Sequence, residues 1–207
     1  MKKILMLIVV AMTGTIGLPE DAPTVDLAAA VASGKVKVDF HGLGGSSGDS
    51  IEATITTTSK TGGDLPLTVA PGTCLNSGDA GAQNMVVASV RGMLVGGNSF
   101  SPGRVIHAGE HPTAYVFEAY CTDFDKNNPA TTTKFQLGKV DSVLAGILGG
   151  SSSTVVKQVA VWIYTDKVGF DDVNAKFPVN RSEWDAATAI VNKFSASNKT
   201  PGKQTAP

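Results

Sequence analysis

The chain has 207 residues and is nearly neutral, because 17 lysine and arginine residues stand against 18 aspartate and glutamate residues. This balance gives no basic stripe for a phosphate backbone, so we expect no nucleic-acid partner. Charged residues make up 17% of the chain, against ~25% in ordinary soluble domains, and 23 residues are glycine. Such a composition is typical of a β-rich protein with many turns and a weakly charged surface.

Residues 1–17 have the three parts of a cleavable signal peptide. Lys2 and Lys3 precede an apolar run over residues 4–12, and small residues follow it. The run is shorter than the ~20 apolar residues that cross a bilayer. We therefore predict a secreted or extracytoplasmic protein of the cell surface, with no membrane span in the mature chain.

The remaining chain is predicted to contain one domain. Residues 18–34 read as a leader that includes a short helix, which Gly34 ends. Residues 35–195 form a single β-rich globular domain, and residues 196–207 form a polar tail that we expect to be disordered.

Alternating polar and apolar residues predict strands over residues 35–40, 51–58, 65–69, 84–90 and 113–121. The pattern is strongest in residues 113–121, where it puts two sets of side chains on opposite faces. One face carries Tyr115, Phe117, Ala119 and Cys121, and the other carries Val116, Glu118 and Tyr120. We expect a mainly β fold, sandwich-like or a barrel, with a smaller helical part in the C-terminal third.

The C-terminal third has helical spacing. Residues 140–148 predict a helix that ends at Gly149. Residues 155–163 fit a helix with Thr154 as N-cap, although their many β-branched side chains also fit a strand. A closing helix follows Pro178, with Ser182 and Asp185 as a capping-box-like pair.

Two cysteines, Cys74 and Cys121, lie in the exported part of the chain. An even count in an oxidising compartment predicts a Cys74–Cys121 disulfide. A cysteine hydrolase is another interpretation, with His107 or His111 as the base, but no family signature surrounds these residues. The histidines lack zinc-ligand spacing with either cysteine, so we expect no metal and no cofactor.

Two short motifs point to a different chemistry for Cys121. The first is the segment Ala119-Tyr120-Cys121-Thr122-Asp123, and the second is Val156-Lys157-Gln158-Val159-Ala160-Val161-Trp162. Together they resemble the two motifs of the thioester (TQXA-type) domains of Gram-positive surface proteins. Lys157 stands where that family has threonine.

The resemblance implies that the sulfur of Cys121 and the side-chain carbonyl of Gln158 join as an internal thioester. Tyr120 and Trp162 would be aromatic walls that exclude water, with Asp123 as a further supporting residue. The implied partner is a protein or another amine-bearing surface, which the thioester would capture once. Such a single-use reaction is not enzymatic turnover.

The competing hypothesis is a structural protein. A β-sandwich with the Cys74–Cys121 disulfide would act as an adhesin, or would self-associate through strand edges into an extracellular filament. The low charge and the threonine-rich strand over residues 51–58 fit this hypothesis as well.

Overall fold

The computed structural model describes residues 23–59, 63–97 and 99–197. The predicted signal peptide and most of the predicted tail lie outside the described residues. The strands in the described part are β1 (Val25–Asp26), β2 (Val36–Gly42), β3 (Ser47–Thr57), β4 (Leu65–Thr68), β5 (Thr73–Ser77), β6 (Met85–Gly96), β7 (Ser99–Pro102), β8 (Ile106–Ala108), β9 (Thr113–Cys121) and β10 (Lys134–Val140). The helices there are α1 (Leu27–Ala32), α2 (Ser142–Leu148), α3 (Thr154–Thr165), α4 (Phe170–Lys176) and α5 (Arg181–Ser197).

Six strands close into an antiparallel barrel. Their order is β5-β10-β2-β3-β9-β6, and β6 pairs back onto β5. Strand β6 is long enough to pair with two strands along one edge: its first part pairs with β5 and its last part pairs with β7. The predicted mainly β fold with a helical C-terminal third is confirmed.

The inner face of the barrel forms the core. Phe40 on β2 and Phe117 on β9 pack edge to face with ring centroids 6.0 Å apart, although β3 lies between their strands. This contact identifies the face that carries Phe117 as the concave side. The predicted alternation along β9 therefore holds, with Cys121 on the inner face and Tyr120 on the outer face.

A small sheet of strands β1, β4 and β8 packs beside the barrel. The Tyr115 hydroxyl joins the two, because it accepts a hydrogen bond from the His107 main-chain nitrogen at 2.9 Å and donates one to the His107 carbonyl at 3.0 Å. Helix α1 adds Leu27 and Ala30 to the core. The helical part of the predicted leader is thus packed on the domain.

Helices α2 and α3 pack against barrel strands, and α5 packs on both helices. Helix α3 is central among them, since it contacts β9, α2 and α5. Its residues Val156 to Trp162 are all buried, which explains why a sequence rich in β-branched residues is helical here. No helix in the described ranges has the length and apolar character needed to cross a membrane.

Helix caps differ from two of our predictions. Ser153, and not Thr154, caps α3, because its hydroxyl accepts a hydrogen bond from the Val156 nitrogen. Helix α5 begins earlier than predicted, with Asn180 and Glu183 exchanging side-chain to main-chain hydrogen bonds of 2.9 and 3.0 Å. The chain therefore uses the Asn-x-x-Glu pair in place of Ser182 and Asp185.

Candidate functional site

The side chain of Gln158 on α3 meets the main chain of Cys121 at the end of β9. The Oε1 atom of Gln158 accepts a hydrogen bond from the Cys121 nitrogen at 3.1 Å. Its Nε2 atom donates one to the Cys121 carbonyl oxygen at 2.8 Å. Both residues are 0% exposed. The two motifs that the sequence analysis singled out, 37 residues apart along the chain, are therefore in direct contact.

The local structure explains why Cys121 accepts this partner. Cys121 is the last residue of β9, where ladder pairing stops. Its nitrogen also donates to the Ser46 carbonyl at 3.0 Å, so this N–H is shared between two acceptors. Since a buried main-chain group needs a partner, the carboxamide of Gln158 satisfies the end of the strand and docks α3 on it.

The thiol of Cys121 lies on the inner face of the barrel. Its Sγ contacts the Sδ atom of Met85 at 3.3 Å. Burial, and then the negative charge of Asp123, raise the pKa of the Cys121 thiol to about 12. The group is therefore a neutral thiol at pH 7, and any reaction of the sulfur must also move its proton.

Asp123 holds the segment that follows Cys121. Its Oδ2 accepts a hydrogen bond from the Asn84 nitrogen at 2.6 Å, and its Oδ1 pairs with the Lys126 ammonium at 3.1 Å. The carboxylate thus fixes the chain beyond β9 and acts electrostatically on the thiol.

Trp162 lies at the centre of an aromatic cluster. Trp162, one helical turn beyond Gln158, packs edge to face with Phe124 at 5.2 Å and with Phe177 at 5.3 Å between centroids. Trp162 was predicted from its motif, whereas Phe124 was not, because its only signal in the sequence is its position three residues after Cys121.

Tyr120 does not line the thiol, contrary to our expectation. It lies on the outer face, where its hydroxyl donates to Glu118 Oε1 at 2.6 Å. Lys157 pairs with the same oxygen at 3.1 Å, and the Ser89 hydroxyl donates to Glu118 Oε2 at 2.9 Å. Burial acts to raise the pKa of Glu118, but hydrogen bonds from Tyr120, Lys157 and Ser89 outweigh it and lower that pKa. Lys157, in the position of the family's threonine, is thus a second link between α3 and β9.

The expected Cys74–Cys121 disulfide is wrong, and both thiols are free. Cys74 lies opposite Val86, and Val86 lies opposite Tyr120, so Cys74 shares the outer face with Tyr120. Cys121 is on the inner face. Strand β6 also separates the two cysteines, which puts them about 10 Å apart, beyond the ~7 Å Cα separation that a disulfide allows.

The histidines do not approach Cys121. His107 and His111 are exposed, and His107 is tied to Tyr115 at the other end of β9. Six residues of strand place this point on the order of 20 Å from Cys121. Within the described part of the chain, no group of three or more histidine, cysteine, aspartate or glutamate residues could hold a metal ion.

Comparison of the chain with protein-family models, with curated proteins and with solved structures found no match.

Proposed function

We propose that this protein is an exported binding protein that forms an internal thioester between Cys121 Sγ and Gln158 Cδ and uses it to attach covalently to an amine on a partner surface. The observation that carries the proposal is the two-point contact of the Gln158 carboxamide with the main chain of Cys121. The contact fixes the orientation of the amide, because only its oxygen can face the Cys121 N–H and only its nitrogen can face the carbonyl. Export is supported by the signal-like residues 1–17.

The reaction balances without a cofactor. The sulfur of Cys121 attacks Gln158 Cδ, the bond from Cδ to Nε2 breaks, and the thiol proton leaves with the nitrogen as ammonia. A primary amine of the partner later attacks the same carbon. The bond from carbon to sulfur then breaks, an amide forms, and the sulfur takes the proton that the amine loses.

The surroundings support storage of such an acyl group. Cys121 and Gln158 are fully buried, and the Trp162 ring, four residues beyond Gln158, packs on the Phe124 ring, three residues beyond Cys121. Exclusion of water slows hydrolysis of a reactive ester. The hydrogen bond from the Cys121 nitrogen to Oε1 polarises the carbonyl that must accept the sulfur.

The test is the intact mass of the exported, mature protein, with and without methylamine. We expect a mass one ammonia below the calculated value, and addition of one methylamine after incubation. The variant Cys121→Ala should have the full calculated mass and be indifferent to methylamine. The matched control Cys74→Ala should behave like the parent protein.

A full calculated mass in the parent protein, with two thiols that react after unfolding, would contradict the proposal. In that case the contact between Gln158 and Cys121 only docks helix α3 on the barrel. Methylamine addition that survives Cys121→Ala would also contradict it, because the acyl group would then lie elsewhere.

A second candidate function is self-association through the hairpin of β6 and β7, which would suit a filament or an adhesin without any disulfide. It is favoured by two apolar side chains at this hairpin, Met93 and Val95, which are 40% and 61% exposed. Strand β7 pairs with β6 and with no other strand in the described residues, so it presents an edge. Sedimentation velocity of the parent protein and of Val95→Lys tests this, since assembly through the hairpin should weaken in the variant.

A further inference from the structure

The indole nitrogen of Trp162 has an unusual environment. The residue is 4% exposed, and its Nε1 is buried without a hydrogen-bond partner among the described residues. A buried donor left without an acceptor costs about 1–3 kcal/mol, so such a group is uncommon in a native core. An acceptor that forms only during a reaction would offset this cost at that step.

Trp162 shares helix α3 with Gln158 of the proposed thioester. It is one helical turn beyond Gln158 on the same face of α3, and long helical side chains extend over the preceding turn. Its ring also contacts Phe124, three residues after Cys121. The indole therefore borders both segments that the thioester would join.

The acceptor that the chemistry creates is the oxygen of Gln158. When sulfur or an amine attacks Cδ, the carbonyl becomes tetrahedral and Oε1 carries a full negative charge. One donor to that oxygen is already in place, the main-chain N–H of Cys121 at 3.1 Å. However, this N–H also donates to the Ser46 carbonyl, so its hydrogen bond is bifurcated and stabilises the developing charge less than an unshared donor would.

We propose that Trp162 Nε1–H is the second donor to this oxyanion, so that Trp162 is a catalytic residue for both formation and aminolysis of the thioester. This inference rests on the proposed function. The N–H without a partner in the resting carboxamide state gains its acceptor in the tetrahedral state. A hydrogen bond made only in that state stabilises the intermediate and its flanking transition states, and leaves the ground state unchanged.

The test replaces Trp162 with benzothienylalanine, which keeps the shape of the ring system and lacks the N–H. The same replacement at Trp184, which packs edge to face on Phe170 at 5.7 Å, is the matched control. We expect methylamine to react about a hundredfold more slowly with the Trp162 variant, and ammonia loss during its maturation to be slower as well. The Trp184 variant should react at the parent rate. Trp162→Phe is a second variant that also removes the N–H.

Thermal unfolding shows whether the variants keep the fold. A Trp162 variant with the parent melting temperature and the parent aminolysis rate overturns the inference while the thioester itself stands; the N–H would then only contact a neighbouring ring. Equal slowing by the Trp184 replacement also overturns it, since the effect would not be specific to the site. A parent protein with its full calculated mass overturns the proposed function, and this inference with it.

Discussion

The two cysteines form an internal comparison. Both thiols are free, and the pKa of each is raised first by burial and then by a neighbouring aspartate. Cys74 is on β5 and Cys121 is on β9, and both strands pair with β6. Cys74 faces outward, near Asp141, whereas Cys121 faces inward, and the Gln158 carboxamide binds its main chain. The electrostatic settings are thus alike, and the difference is the carboxamide at Cys121. Burial and charge alone therefore do not distinguish the two thiols.

The largest expected effect is in alkylation of the native protein. Cys74 is half-buried, whereas Cys121 is fully buried with a thiol pKa of about 12. We expect iodoacetamide at mildly alkaline pH, added after methylamine has opened the proposed thioester and freed the Cys121 thiol, to modify Cys121 at least about a hundredfold more slowly than Cys74, as followed by mass spectrometry of peptides. Equal rates for the two cysteines would mean that the inner face opens readily, and the comparison would fail.

The next effect is on stability. In the Cys121→Ala background, where no thioester can form, Gln158→Ala leaves a cavity and removes the partner of the main-chain carbonyl of residue 121, so we expect a loss of about 3 kcal/mol in the free energy of unfolding by urea. Gln136→Ala is the control, because Gln136 is exposed on β10. It should change that free energy by less than about 0.5 kcal/mol. A similarly small loss for Gln158→Ala would show that the two-point contact contributes little to docking.

The buried ion pair between Lys157 and Glu118 should have a smaller effect. Their side chains are 11% and 15% exposed, so Lys157→Met leaves a largely buried carboxylate and should cost about 2 kcal/mol. The exposed pair between Lys134 and Asp39 is the control, and Lys134→Met should be nearly neutral. Equal effects in urea unfolding would contradict the assignment of Lys157 as a link between α3 and β9.

The same pair predicts a pH dependence. The folded state lowers the pKa of Glu118 below its ordinary value of 4.5. The stabilisation by this carboxylate is therefore complete above that value and is lost as the pH falls through the lower, folded pKa. Unfolding measured across this acidic range should show a smaller decline for Glu118→Gln than for the parent protein. Parallel curves would contradict the assignment.

The smallest expected effect is the change in each thiol pKa when its neighbouring aspartate is neutralised. Asp123→Asn and Asp141→Asn each remove the negative charge that raises a thiol pKa, so each should lower the pKa of its own cysteine. We expect native alkylation of Cys74 to become a few-fold faster in Asp141→Asn. The corresponding change at Cys121 is measured in the Gln158→Ala background, where no acyl group competes. Crossed effects, with each variant altering the other thiol, would contradict the assignment.

Strand β9 illustrates what the sequence predicts well. Residues 113–121 are rich in aromatic and other apolar side chains, and the observed strand has the predicted bounds and the two predicted faces. By contrast, β10 was missed because Gly138 interrupts its pattern, and α4 because acidic residues obscure its apolar positions. Local pattern sufficed for a long apolar strand that is buried on both faces, and failed where tertiary packing stabilises a weak segment.

The candidate site was predicted in part. The resemblance of two motifs brought Cys121 and Gln158 together, and the fold places them in contact. The disulfide was wrong because cysteine count carries no information about which face of a sheet each residue occupies. The role of Lys157 could not be foreseen either, since its partner Glu118 lies 39 residues away and their meeting depends on the path of the whole chain.

The position of Gln158 also has a mechanical consequence. A covalent bond from Cys121 to Gln158 would close a loop of 37 residues and carry tension directly from β9 to α3. Capture of an amine would open that loop. The reaction that attaches the partner would therefore also allow the 37 residues to extend under load, by up to about 130 Å at ~3.5 Å per residue. Under load, the bound protein would be a more extensible tether than the unbound one.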